Sequence, residues 1–351
     1  MSEILYAGVG KAAIQFSEDI YPIETFCGQH DALHVRVMML KAEIKIVIVS
    51  IEITSLREYE RKKLKEIVLK MMDVEPQHIV ICVTHTFSAP HLRSTQALKK
   101  NPELQRKNDA IRNAIETALV HACKSALHTY QKVILGYGLG FCNVNVNRDI
   151  STPFGYWLGK NAEGVSDKSV PIVQIKARNG TVLAYLYSYD AQPSIMDGVV
   201  LHDGGSLISA DLYGASSSFI ERQTNAVALY ILGAAGDQVP KQKAKFQYVD
   251  SDGELKIKDE KEKGFEYIAD LGKELGRCVL QTEIFTKQYI KGIQFYTSTL
   301  LCKGQERVED MHALRPVTAY KFKEKEMRAT SIQYICFEDI VIIALQPEIS
   351  S

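Results

Sequence analysis

The ten residues Ile44-Lys45-Ile46-Val47-Ile48-Val49-Ser50-Ile51-Glu52-Ile53 are too rich in β-branched side chains to favour a helix, and they set the strongest limit on the fold. The pattern then changes period. Leu56, Tyr59, Leu64, Ile67, Val68 and Met71 fall on one helical face, which predicts an amphipathic helix over 56–72. Ser55 and Glu58 stand at capping-box spacing before it. Pro76 interrupts, and a second dry run, Ile79-Val80-Ile81-Cys82, predicts a buried strand. Asn101-Pro102 open a second long helix reaching Tyr130, with the proline at the first helical position. Strand, helix, strand, helix in this order predicts an α/β sheet.

The second half is richer in strands. Val173–Lys176 and Val182–Tyr187 flank Arg178-Asn179-Gly180-Thr181, and Asn-Gly between two such runs predicts a hairpin. Ala226–Leu232 reads as another buried strand, running into Gly233-Ala234-Ala235-Gly236-Asp237. Residues 241–263 are charge-rich and read as a solvated excursion. A helix over 265–280 follows, with Phe265, Ile268, Leu271 and Leu275 at helical spacing, and two late strands lie near 331–336 and 340–345. No tandem repeat or linker divides the chain, so residues 1–351 are expected to form one α/β domain with a mixed sheet core and flanking helices.

Lys and Arg number 42 and Asp and Glu number 42, so no net field draws nucleic acid or an anionic membrane, and neither partner is expected. No run of eighteen apolar residues exists, so membrane insertion is not expected. Met1–Leu5 lacks the basic segment and apolar core of a secretory signal, and the expected compartment is the cytoplasm. The seven cysteines (27, 82, 123, 142, 278, 302, 336) show no C-x-x-C spacing and read as reduced core thiols. Homo-oligomerisation is left open.

Chemistry concentrates at the end of the Ile79–Cys82 strand, in Val83-Thr84-His85-Thr86-Phe87-Ser88-Ala89-Pro90-His91. A dry strand ending abruptly in His, Thr and Ser puts polar groups at the mouth of a sheet, where open α/β folds bind ligands. Strand alternation would send Thr84 and Thr86 to one face and His85 and Phe87 to the other. Gly233–Asp237 offers a tight turn with Asp237 as a cap, and no phosphate-loop pattern is present. His30 and His34 read as structural or solvated. His121 and His128 lie two turns apart on their helix, about 10 Å along the axis, too far to share a metal.

In order and spacing, these segments resemble the neutral/alkaline (non-lysosomal) ceramidases, through their N-terminal catalytic domain. The matching stretches are Gly8–Ile14, His30–Arg36, Val49–Thr54, Thr84–Pro90, Asn145–Arg148, Leu207–Gly214, Gly233–Pro240 and Gly264–Gly272. The resemblance implies that family's fold and a zinc-bound water that splits an amide. Zinc suits the chemistry because it lowers the pKa of bound water from about 15.7 to about 7 and polarises the carbonyl. In the family the first His of a Thr-His-Thr-His-Ser segment is a ligand, and His85 matches it. A later His before Pro is the second ligand, and Gln192, before Pro193, stands in its place. A glutamate near Pro-Gly-Glu is the third, matched by Glu348 in Gln346-Pro347-Glu348. Arg148 matches a substrate-positioning arginine, and Asp237 lies in the turn that carries an active-site serine, here Val239. The family's final tyrosine comes later, whereas this chain stops at Ser351.

Three departures follow from the comparison: Phe87 for the segment's second His, Gln192 for a ligand His, and Val239 for the serine. Gln is a poor substitute for imidazole on zinc. Phe cannot donate to an oxyanion, a contact worth roughly 3–4 kcal/mol in other hydrolases. His202, ten residues beyond Gln192, is a candidate replacement ligand, with His91 and Asp190 as further candidates. Two functions are therefore expected. One is a zinc-dependent amide hydrolase acting on a small amide or N-acyl compound, with Arg148 and Asp237 in catalysis and His85, Glu348, Gln192 and His202 toward the metal. The other is a non-catalytic relative with an altered metal site, serving in binding or assembly. An immunoglobulin-like second domain, carried by many ceramidases, is not expected here.

Overall fold

The computed structural model describes residues 4–350 apart from 100, 153–154, 253, 308–321 and 347. Its centre is a nine-stranded mixed sheet. Tyr6–Ala13, His34–Lys41, Lys45–Ile51 and Ile79–Val83 make one half, and Gln131–Phe141, Ser169–Ala177, Val182–Tyr189 and Val227–Leu232 the other. The halves join where Tyr6 and Ala7 pair with Lys132 and Gln131. Phe285–Lys287 adds a short strand beside Gln131–Phe141.

Alternation along each strand explains how the sheet stacks on itself. In His34–Lys41, Met38 and Leu40 share a core with Val173, Ile175, Leu186 and Leu229 of the other half. Val35, Val37 and Met39 point the opposite way, onto Ile111, Ile115 and Leu119 of the helix Pro102–His128. Both faces are thus covered, which is why these runs are apolar without interruption. Helices Asp211–Thr224 and Lys263–Gln281 cover the outer face of the second half through Leu212, Ile220, Leu271 and Leu275. The result is four layers, helix, sheet, sheet, helix, in agreement with the mixed α/β class expected from sequence.

The local expectations hold in most places. Asn101 caps the long helix by accepting from Leu104 N at 3.0 Å. The Asn179-Gly180 turn joins Ser169–Ala177 to Val182–Tyr189, with Gly180 at φ +94°. Residues 241–263 differ from a simple excursion, since Lys245–Val249 pairs with Leu255–Asp259. The late strand is longer than its apolar segment, spanning Phe322–Phe337, because Ile293–Arg307 pairs along it. Ile340–Leu345 completes that three-stranded sheet.

Two expectations fail. The Ser55–Glu58 capping box does not form: the helix runs Glu58–Met71 with Arg57 at the cap and no side-chain cap bond. Thr54 is fastened through its hydroxyl to the carbonyls of Thr86 and Ala89, so the chain just before the helix is tied to the turn after Val83. The cysteines are reduced but are not all core thiols, since Cys27 and Cys302 are exposed. Among the described residues, no helix is long and apolar enough to cross a membrane.

Candidate functional site

The sheet has two parallel strand pairs, one in each half. Lys45–Ile51 lies beside Ile79–Val83, and Val182–Tyr189 beside Val227–Leu232. The segments beyond their carboxyl ends meet where Phe87 N donates to Pro193 O at 3.1 Å. This is where an α/β sheet leaves a crevice for ligands.

His85 sits just past the end of its strand in the left-handed region, with φ +66°. A non-glycine residue there is strained, so neighbours must hold it. They do: its N–H donates to Ile53 O at 3.1 Å, and its ring Nδ1 donates to Thr54 O at 2.6 Å. That second bond fixes the tautomer and leaves Nε2 as the lone-pair side. The turn breaks the strand alternation anticipated for this segment, yet His85 and Phe87 remain in edge contact at 4.9 Å between ring centres. Thr84 and Thr86 are buried.

His85 Nε2 faces Glu348 Oε1 at 3.7 Å. Gln192 joins the same carboxylate, donating from Nε2 to Glu348 Oε1 at 3.0 Å. Its other end accepts from Arg148 Nη1 at 2.7 Å through Oε1. The structure therefore brings His85, Gln192, Glu348 and Arg148 into one chain of contacts. Pro347, part of the sequence match, lies outside the described residues. Glu348 is anchored by its neighbour, since Ile349 O accepts from Gly236 N at 2.8 Å.

Asp237 supports this cluster from behind. Its carboxylate accepts from Asn147 Nδ2 at 2.9 Å, and its carbonyl accepts from Arg148 N at 2.8 Å. It positions the strand that bears Arg148. Asp190 accepts from Ala234 N at 2.8 Å, and burial, reinforced by Asp167 and Asp237, pushes its carboxyl up to about 6. Val239 is buried opposite Val146.

The remaining candidates lie elsewhere. His202 is 73% exposed on a loop and pairs with Glu262. Its backbone N–H also goes to Glu262, so this arrangement gives it no role beside His85. His91 pairs with Glu24 at the surface. Sequence reasoning missed Lys243, which had been read as part of a solvated face. Its side chain is 17% exposed and lies 3.7 Å from Asp197. Burial drives its ammonium toward the neutral form; Asp197 and Asp211 oppose this, and nearby Arg148 adds to it. Only the fold could show this, because Lys243 neighbours Lys241 in sequence, and Lys241 is an exposed partner of Glu274.

The donors fit a catalytic zinc poorly. Two ligands on a tetrahedral zinc, with bonds of about 2.0–2.1 Å, stand roughly 3.4 Å apart. His85 Nε2 and Glu348 Oε1, at 3.7 Å, approach that span. Among the described residues, a third donor is lacking. Gln192 turns its N–H groups to the carboxylate, while its oxygen is held by Arg148. Rotating the amide to offer oxygen to a metal would set its NH2 against the guanidinium, donor against donor. Among the described residues, no group of three or more His, Cys, Asp or Glu is placed to hold a metal.

No family model matches the sequence, and no curated protein does. Solved structures do match. The crystal structure of neutral ceramidase from Pseudomonas aeruginosa aligns with TM-score 0.68 and 15% identity, covering 97% of this chain and 62% of that one. A ceramidase complexed with C2 aligns with TM-score 0.61 and 16% identity, covering 85% of this chain and 46% of that one. The fold is ceramidase-like, and the chain spans less than two thirds of the length of either structure.

Proposed function

We propose that this protein binds a small amide or N-acyl compound at the Arg148–Gln192–Glu348–His85 centre and does not hydrolyse it through zinc. The observation that carries this reading is the orientation of Gln192. One amide satisfies a cation and an anion together, Arg148 at 2.7 Å and Glu348 at 3.0 Å, where a metalloenzyme would place a ligand lone pair. The neutral amide thus links the guanidinium and the carboxylate through hydrogen bonds. An amide ligand suits such a centre. Its carbonyl can accept from the unused N–H groups of Arg148, and its N–H can donate to the partly exposed Glu348.

The test exchanges the one residue that changes the chemistry. In Gln192→His, an imidazole joins His85 and Glu348 to give three donors, the minimum for a catalytic zinc site. Zinc titration followed by melting temperature and metal analysis is expected to leave the wild type unshifted. The variant is expected to bind about one equivalent and gain stability on zinc addition. Stoichiometric zinc on the wild type, with amide hydrolysis lost in His85→Ala, would instead establish the hydrolase reading. The His85–Glu348 span is the observation that keeps that reading in view.

A further inference from the structure

Arg36 and Arg112 each meet carboxylates in the fold, and Arg148 does not. Arg36 donates to Glu52 at 2.5 Å and to Glu221 at 2.9 Å. Arg112 donates to Glu60 at 2.9 Å and to Asp109 at 2.7 Å. Among the described residues, the Arg148 side chain makes one bond, at 2.7 Å, and its acceptor is the neutral amide oxygen of Gln192. A guanidinium carries five N–H donors, so most of its capacity is unused. One of the unused donors, on Nε, is enclosed and has no hydrogen-bond partner. Withdrawing such a donor from water is unfavourable until an acceptor reaches it. Glu348, at the other end of the bridge, also lacks a Lys or Arg partner among the described residues. It has the Gln192 amide at 3.0 Å and the His85 ring at 3.7 Å. A cation and an anion therefore stand on either side of one neutral amide, and the cation has no ionic partner.

We propose that the centre selects N-acylated amino acids, with the ligand carboxylate on Arg148 and the ligand amide N–H on Glu348. This rests on the centre being a site for amide or N-acyl compounds, and it names the member of that class that the charges favour. Gln192 shows the required pattern, because it turns an acceptor to Arg148 and a donor to Glu348. In an N-acylated α-amino acid the carboxylate and the amide N–H flank a single carbon. The ligand thus offers an acceptor and a donor in the same order as the Gln192 side chain. The carboxylate takes the place at Arg148 that a simple amide gives to its carbonyl. It adds a full negative charge and a second oxygen, which match the planar fork of a guanidinium. The orientation follows from Glu348. Its own negative charge disfavours a carboxylate beside it and favours the N–H end.

The test titrates the full chain with N-acetylglycine and with N-acetylglycinamide, which differ only in carboxylate against carboxamide. Calorimetry and melting temperature read the two affinities. N-acetylglycine is expected to bind about tenfold more tightly, the usual gain of a charge-assisted bond over a neutral one. Arg148→Gln should bring the two affinities together, and Arg148→Lys should keep part of the preference. Equal affinities in the wild type would overturn the inference and leave the amide site standing. A preference that survives Arg148→Gln would overturn it too, since the carboxylate would then sit elsewhere. Binding of neither compound would overturn the amide site itself, and the inference with it. The wild-type ratio needs no variant, so a folding defect cannot mask the answer.

Discussion

At the scale of single residues, the decisive contacts come from distant parts of the chain. Arg36 is 2% exposed, and it donates to Glu52 at 2.5 Å and to Glu221 at 2.9 Å. Glu52 also accepts from His34 N, at 2.6 Å, and Glu221 pairs with Lys11. Removing one member of such a network leaves a buried charge without its partner. Arg36→Met is therefore expected to cost about 3–5 kcal/mol in urea unfolding. Arg36→Met with Glu52→Leu should recover part of that loss, and a double-variant loss equal to the sum of the two single-variant losses would show that the pair is not coupled. The candidate centre was partly legible at this scale. His85, Gln192, Arg148 and Glu348 were singled out from sequence and converge in space. Lys243 and Arg36 were not recognised as buried charges, because their carboxylate partners are contributed by other segments.

At the scale of elements, backbone proximity decides where helices sit. Gly8 and Gly10 lie under the helix Pro102–His128 with no room for a side chain, since a Cβ at either would collide with the Ala126 or Ala122 carbonyl. Gly10→Val should lift that helix and cost about 2–3 kcal/mol despite valine's better strand propensity, read as a lowered denaturation midpoint. Unchanged stability would mean that the helix moves freely. Its first turn offers a milder control. Asn101→Ala removes the bond to Leu104 N and should cost about 1 kcal/mol. Periodicity located this helix well, because its buried stripe is long. The Ser55–Glu58 spacing misled, because Thr54 is held by the site turn and the helix could begin only after it.

For the whole molecule, the two sheet halves stack through a shared apolar core, and the Arg36 network closes one part of that stack. Its pH response follows from Glu52. Burial would raise this carboxyl, but Arg36 and His34 prevail and hold it down at about 2, against 4.5 in the unfolded chain. A depressed carboxylate stabilises the fold above its unfolded pKa, and this contribution disappears as pH falls through the folded value. Acid unfolding is thus expected to draw on Glu52 between about pH 4.5 and 2, with a contribution of order 3 kcal/mol. Glu52→Gln should flatten the stability–pH curve in that window while lowering stability at neutral pH; an unchanged slope would remove Glu52 from the account. The sequence alone determined the strand and helix runs, the hairpin at Gly180 and the resemblance of ordered segments to a ceramidase domain. These follow from short-range periodicity and turn chemistry, which are written locally. Only the tertiary structure decided that the sheet stacks on itself and that Gln192 bridges Arg148 and Glu348. Those outcomes depend on which distant side chains share a buried space, and burial sets the strength of a charge or a hydrogen bond.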